Sequence, residues 1–470
     1  MVWRKSGTAV HRRLRVRSLT HTRPAFERKG QIVRLNKTAT AAVAALMLVP
    51  LAACSSSGAT KGSDKANTGA TLTYWASNQG TSLANDKQVL TPELAKFTKQ
   101  TGIKVELEVV PWSDLLNRVL AATTSGKGPD VVNIGNTWSS SVQATGAFLP
   151  FDDATLNAIG GKSRFLAGSM SATGVAGQPP AAVPIYSMAY GLYYNKKQFK
   201  DAGISSPPKT WDEFLVDAKK LTTPKHWALS LEAGSKTENI HSAFTLSQQQ
   251  GGSWFDASGK ATFNTPANVA AIKQYIDFMQ TDKIVNPSDA QYSNGTEALK
   301  DFATGTTSMV FWQAAQASLK ELGMNPDDIG VAPVPVPATL AAGGKPVTSM
   351  VAGINLGIFK NTKNKDAAIA FVKFMTSTPE QQMLNKTYGS LPSVTDAYSD
   401  PAFQAPNVLV IKDVLSKSAA PLPQVPGESQ FEKLVGAAMT SLFADAATGK
   451  TVTSAQIAAA LAAAQQQVTD

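Results

Sequence analysis

The sequence predicts an α/β fold, and three observations carry it. Apolar segments with a period of two alternate with segments at helical spacing. Several of the helical segments open on their own cap signal. A hydrophobic content of 43% with 17% charged residues is ordinary for a globular chain. Thr71-Leu-Thr-Tyr-Trp75 reads as the first strand. Thr91-Pro92-Glu93 supplies an N-cap, a first-turn proline and a first-turn acid for a helix that stops at Gly102. Ile103, Val105, Leu107 and Val109 alternate as a strand buried on one face would. Ser113 caps a helix through Ala122, and Asp130 to Ile134 is a short apolar strand after Gly126-Lys-Gly-Pro129. Strands separated by helices in this way imply parallel pairing.

The second half repeats the grammar. Thr210 and Glu213 form a capping box ahead of Trp211, Phe214, Leu215, Ala218 and Leu221. Thr265-Pro266 starts a helix with Val269, Ile272, Ile276 and Met279 on one face. Ala367 to Met375 reads as a buried helix, and Thr378-Pro379-Glu380 opens the next. The Ala-rich run Ser454 to Val468 closes the chain as a surface helix. About 400 residues carry this pattern, enough for two domains. Ahead of them, Ser55 to Gly69 is rich in Ser, Gly, Thr, Lys and Asn and reads as a flexible tether.

Cys54 is the only cysteine in 470 residues, so it closes no intrachain disulfide. Arg34 and Lys37 precede an apolar stretch, Ala39 to Val49, and small residues then lead to Leu51-Ala-Ala-Cys54. The arrangement resembles a bacterial lipoprotein signal, in which the cysteine is lipidated and becomes the first mature residue. The apolar run is too short for a membrane span of ~20 residues. Residues 1–53 read as a signal peptide. Residues 1–32 form an unusually long leader, with Val33 the best candidate for the true start. Residues 54–69 are then a lipidated tether.

Charge changes meaning with that cut. The whole chain has 44 Lys+Arg and 34 Asp+Glu, a net +10, but residues 1–53 hold 11 of the cations and one acid, leaving 33 of each sign. No basic stripe remains for nucleic acid. Catalytic signatures are scarce. Only His226 and His241 follow Cys54, and no His-Glu-x-x-His run, Cys/His cluster, Gly-x-Ser-x-Gly elbow or phosphate loop occurs, so neither a metal nor a cofactor is expected. Two carboxyls for glycoside hydrolysis stay open as an alternative, with Asp152-Asp153 or Glu238 the candidates.

Nine motifs follow in order along the chain: Tyr74 to Gln79; Thr101 to Val105; Gly128-Pro-Asp-Val-Val132 running on to Thr145–Pro150; Pro184 to Asn195; Pro208 to Phe214; Gly251-Gly-Ser-Trp-Phe255; Gly305 to Trp312; Ala352 to Asn355; and Gly389 to Ser393. Together they resemble the family 1 extracellular solute-binding proteins of ABC importers, chiefly sugar binders. The resemblance implies a two-lobed, periplasmic-binding-protein-like fold with crossing hinge strands and an interlobe ligand cleft. The chain is expected to cross near Tyr186, Val334 and Phe359. One lobe would comprise residues 70–185 and 334–360, the other 186–333 and 361–470.

By the same resemblance Trp312 is a stacking aromatic, and Asn136, Thr137 and Trp138 present polar and aromatic groups after a strand. Asn78 and Gln79 are hydroxyl partners at the end of the first strand. Ser187 and Met188 face the cleft from the hinge. Asn239 and His241 stand where relatives use an aromatic, and Gly353 and Asn355 bring backbone close to ligand. The absence of an arginine near Ser393 argues against an anionic substrate. The expected protein is a monomeric, non-enzymatic receptor, lipid-anchored on the extracellular or periplasmic face. It would deliver an uncharged sugar or oligosaccharide to an ABC permease. A non-sugar solute such as a polyamine, which would want a cluster of acids and aromatics in the cleft, is the other alternative.

Overall fold

The computed structural model describes residues 69–468; Cys54, the leader and all but the end of the tether lie outside them. Ten strands join in one sheet: β1 (Thr71–Ser77), β2 (Lys104–Val110), β3 (Val131–Gly135), β4 (Ala182–Asn195), β5 (Trp227–Ser230), β6 (Thr307–Gln313), β7 (Ile329–Ala332), β8 (Ser349–Ile358), β9 (Leu391–Pro392) and β10 (Ala419–Ala420). The order is β2-β1-β3-β8-β4-β6-β5, with β7 and β9 on β4 and β10 on β8. As strand–helix alternation predicts, β1 runs parallel to β2 and β3, and β5 parallel to β6.

β4 and β8 depart from that rule. They lie antiparallel, with an irregularity between Pro184 and Tyr186. β8 also pairs antiparallel with β3, whereas the far end of β4 pairs with β6 and β7. These two strands therefore belong to both ends of the sheet. Ala182 to Tyr193 is buried without interruption, the mark of a strand covered on both faces.

Helices cover the sheet: α1 (Leu83–Thr101), α2 (Trp112–Ser125), α3 (Trp211–Leu221), α4 (Lys236–Gln249), α5 (Pro266–Gln280), α6 (Lys365–Met375), α7 (Thr378–Tyr388), α8 (Glu428–Ala447) and α9 (Ser454–Gln465). The first differs from its expected start. Ser82, not Thr91, is its N-cap and accepts from the Asn85 amide, and Pro92 lies inside the helix on its exposed side. The eight residues before Thr91 already bury Asp86 and Leu90, so packing outweighs the local proline signal. α2 likewise starts after Pro111 rather than Ser113. The stop at Gly102 (φ 76°) and the Thr210–Glu213 capping box form as expected.

α6 turns its Phe371 edge-on to Tyr74 and Phe97, with ring centroids 5.1 and 5.2 Å apart. The chain after residue 360 thus first serves the β1 side, where the sequence division placed it on the other lobe. A helix with one apolar face carries no local mark of which sheet it will cover. α4, α5, α8 and α9 pack together at the opposite end.

Candidate functional site

β3 runs into a single 3-10 turn, Asn136–Trp138, which meets α8. Glu432 of α8 gathers three donors there: Trp138 Nε1 at 2.6 Å, Thr137 Oγ1 at 3.3 Å, and Thr237 Oγ1 of α4 at 2.6 Å. Asn136 Nδ2 donates to the Val351 carbonyl of β8 at 2.6 Å. Four distant segments converge at one buried spot. Trp138 is only 1% exposed and stands edge-on to Trp112, 5.6 Å between centroids.

Beside this spot, Tyr190 of β4 joins two residues of α4. Its hydroxyl donates to Glu238 Oε2 at 2.7 Å and lies 2.6 Å from His241 Nδ1. A phenol has one hydrogen, so with Glu238 ionised Nδ1 must carry a proton and donate, which leaves Nε2 as an acceptor. That Nε2 is buried with no partner. His241, Tyr190, Trp211, Tyr275, Phe278 and Phe311 line a small, mostly apolar pocket with a free volume of about 30 Å³, room for about two waters.

The electrostatics are one-sided. Burial, reinforced by Glu432, pushes Glu238 up to about 7. Burial also raises Glu432, against the pull of Thr237, Trp138 and Thr137. Glu428, one helical turn earlier, is raised well above the carboxylate range by burial and by Glu432. His241 is pushed down to about 3 by burial. Its 4.0 Å approach to Glu238 is therefore not an ion pair at neutral pH. No ion pair with Lys or Arg is formed by these three acids among the described residues, nor is any group of three or more His, Cys, Asp or Glu placed there to hold a metal ion.

Residues 80–382 match the family of bacterial extracellular solute-binding proteins. The chain belongs to that family. The diacetylchitobiose-binding protein DasA of Streptomyces coelicolor is 27% identical over 366 residues, covering 74% of this chain and 79% of DasA. A maltotriose-binding protein of Pyrococcus abyssi is 25% identical over 304 residues, covering 63% and 62%. Among solved structures, maltose-bound MalE3 of T. maritima superposes with a TM-score of 0.72 at 23% identity, covering 84% of this chain and 99% of MalE3. At that identity the likeness establishes the two-lobed binding-protein fold alone. The family consists of binding proteins of ABC importers, several of them sugar binders.

Within this solute-binding fold the sequence candidates divide into groups. Asn136, Thr137, Trp138 and His241 come together around Glu432 and Tyr190. Trp312 does not join them. Phe311 faces the pocket, so its neighbour Trp312 points to the other face of β6, half-buried opposite Gly191 and in contact range of Gly295. Ser187 and Met188 line a second small pocket with Ala314, Gln316 and Gly389. Ser187 there sits between Ser169 (2.6 Å) and Ser393 (3.0 Å).

The remaining candidates make hydrogen bonds or close approaches within the scaffold. Asn78 Nδ2 and the Gln79 amide both donate to Asp86, a fully buried acid. Asn239 donates to the Ala233 carbonyl, and Asn355 to Ser139 Oγ and the Ala172 carbonyl. A Cβ on Gly353 would sit 2.7 Å from the Tyr186 carbonyl, so glycine there serves the close approach of β4 and β8. Asp152 caps a short helix through Thr155, far from a role as half of a carboxyl pair. Sequence reasoning missed Glu428, Glu432 and Tyr190. Their signal was present: two acids four residues apart on a face shared with Phe431 and Val435, where an exposed helix would not place them.

Proposed function

We infer that the protein is a lipid-anchored receptor that captures an uncharged sugar or oligosaccharide between its lobes and passes it to an ABC permease. The supporting observation is the convergence of Thr137 and Trp138, Thr237 and Glu432 on one buried point, from segments at both ends of the sheet. Hydroxyls stripped from water cost a few kcal/mol each unless partnered, and the neighbouring pocket brings Tyr190, His241, Ser242 and Thr245 together with aromatic side chains. Trp312, half-buried on the other face of β6, is proposed as a second contact for a longer ligand. In relatives of this fold the lobes close around ligand by hinge motion, and β4 and β8 are the strands that would carry it.

The proposed lobes are residues 70–185 with 334–360 and α6, which packs on Tyr74 and Phe97, and residues 186–333 with the chain after α6. Cys54 is the proposed lipidation site at the outer membrane face, with residues 54–69 the tether. The anionic class is set aside because Ser393, at the place of an arginine, holds only Ser187 and neutral neighbours. The sugar is proposed to leave unchanged. A thermal-shift screen over neutral, amino and acidic sugars tests this reading, because ligand at 100 times its dissociation constant adds ~2.7 kcal/mol. Stabilisation by acidic sugars only, or release of a cleaved product, would overturn it.

A further inference from the structure

We propose that Glu238, acting through the Tyr190 hydroxyl, sets which hydrogen-bond role His241 Nε2 takes in the pocket it lines, acceptor or donor. The three side chains form an unbroken file: Tyr190 Oη lies 2.7 Å from Glu238 Oε2 and 2.6 Å from His241 Nδ1. The far ring nitrogen, Nε2, is buried and has no partner in the fold. His241 is only 7% exposed and lines the pocket with Tyr190, Ser242 and Thr245. The free space there, about 30 Å³, admits about two waters or one solute hydroxyl. Nε2 therefore takes its partner from the pocket. The receptor reading above enters only in what occupies that space; the file itself is a property of the chain.

Proton counting defines the two states. With Glu238 ionised, the phenol donates to the carboxylate, Nδ1–H donates to the phenol oxygen, and Nε2 is a bare acceptor. When Nε2 takes one proton from solvent through a pocket water, the Nδ1 proton passes to the Tyr190 oxygen and the phenol proton passes to Glu238. Each crosses along its own hydrogen bond, the old bond to hydrogen breaking as the new one forms, and no heavy atom moves. The ring ends neutral with Nε2–H as a donor, and the proton gained has neutralised the carboxylate. An imidazolium is the worse outcome, because burial holds His241 down to about 3, and burial keeps Tyr190 a phenol throughout. Glu238 is the group that titrates: burial, with Glu432 adding to it against the Tyr190 bond, puts it at about 7. Around α4, β4 contributes Tyr190, α8 Glu432 and α5 Tyr275, and β8 holds no titratable side chain. α4 itself adds only His241 and the exposed Lys236. Nε2 is thus an acceptor above that value and a donor below it. A hydroxyl meets either state by turning its hydrogen, whereas an ether oxygen or an N–H meets only one.

The test is magnetic resonance of the full chain with isotope-labelled histidine rings and no solute, so its outcome is separate from that of the receptor reading. Two-bond proton–nitrogen correlation distinguishes a protonated ring nitrogen from a bare one, and His241→Gln assigns the signals. Spectra are taken about two pH units above and below the Glu238 value of about 7. Nε2 should be bare at the higher pH and protonated at the lower, with Nδ1 the reverse, each state in at least about tenfold excess. Glu238→Gln keeps the size and cannot ionise, and Tyr190→Phe breaks the file; in both the ring should hold one state at the two pH values. Circular dichroism checks that the variants are folded, and if one is not, the other and the wild-type series still decide. One unchanged state across the window in the wild-type chain overturns the proposal. A doubly protonated ring at the lower pH, or a change of state that survives either substitution, overturns it as well.

Discussion

Trp138→Phe isolates the bond on which the site's architecture depends. The substitution keeps an aromatic ring beside Trp112 and removes the indole N–H that meets Glu432 at 2.6 Å together with two ring carbons. Glu432 retains Thr137 and Thr237 as donors, so its second oxygen stays satisfied. A hydrogen bond to a charged group is worth ~1.5–3 kcal/mol, and a buried acceptor left short costs about the same. The smaller ring adds a packing loss of ~1 kcal/mol, from two ring carbons at ~25 cal/mol per Å². A total of ~2–4 kcal/mol with an m-value of about 3 kcal/mol per molar urea moves the midpoint by ~0.7–1.3 M. Pairing it with Glu432→Gln separates the bond from the packing. The double variant should fall short of the sum by ~1.5 kcal/mol or more, because both changes remove one contact. Coupling below ~0.5 kcal/mol would show that the carboxylate does not hold the turn after β3.

Further outcomes follow from the same structure. Tyr190→Phe strips the donor from Glu238 and the acceptor from His241, and should cost ~1–3 kcal/mol of stability by urea titration together with solute affinity; unchanged affinity removes the pair from the site. Burial raises Glu238 to about 7, Asp289 to about 7 and Glu232 to about 8, so the folded state holds protons that the unfolded chain releases above their ordinary values of 4.5 or 3.8. Melting temperature should therefore fall as pH rises from about 5 to about 8, and a rise across that window contradicts the burial. Cys54→Ser should leave the protein uncut or release it from the membrane fraction; normal processing and retention would end the lipoprotein reading. Trp312→Ala should weaken binding of a longer oligosaccharide more than of a monosaccharide, whereas a loss of ~3–5 kcal/mol in unliganded stability with affinity intact marks a core role.

The α/β fold was legible because its signals are local. Val105, Leu107 and Val109 alternate, Thr210 and Glu213 cap each other, and Gly102 ends a helix by taking the left-handed conformation only glycine enters freely. The antiparallel crossing of β4 and β8 was legible only through the family resemblance, since strand–helix alternation by itself implies parallel pairs. Pro92 misled because a helix with enough buried residues on either side tolerates one exposed proline. The candidate cluster was half visible. Thr137 and His241 stood out as polar groups near strand and helix ends, but their partners Glu432 and Tyr190 lie 295 and 51 residues away. No local pattern connects residues so distant. Trp312 was chosen for its type and place in the motif. Which face of β6 it takes is decided by pairing with Gly191, a tertiary fact.

Calorimetric titration of the full chain with the sugar that most raises its melting temperature tests capture most directly. One sugar per chain is expected, with a dissociation constant at or below about 1 μM, near −8 kcal/mol, and mass spectrometry should recover the sugar intact after prolonged incubation. Binding weaker than about 1 mM for every sugar, or a recovered ligand that has been cleaved, would contradict a solute-capturing receptor.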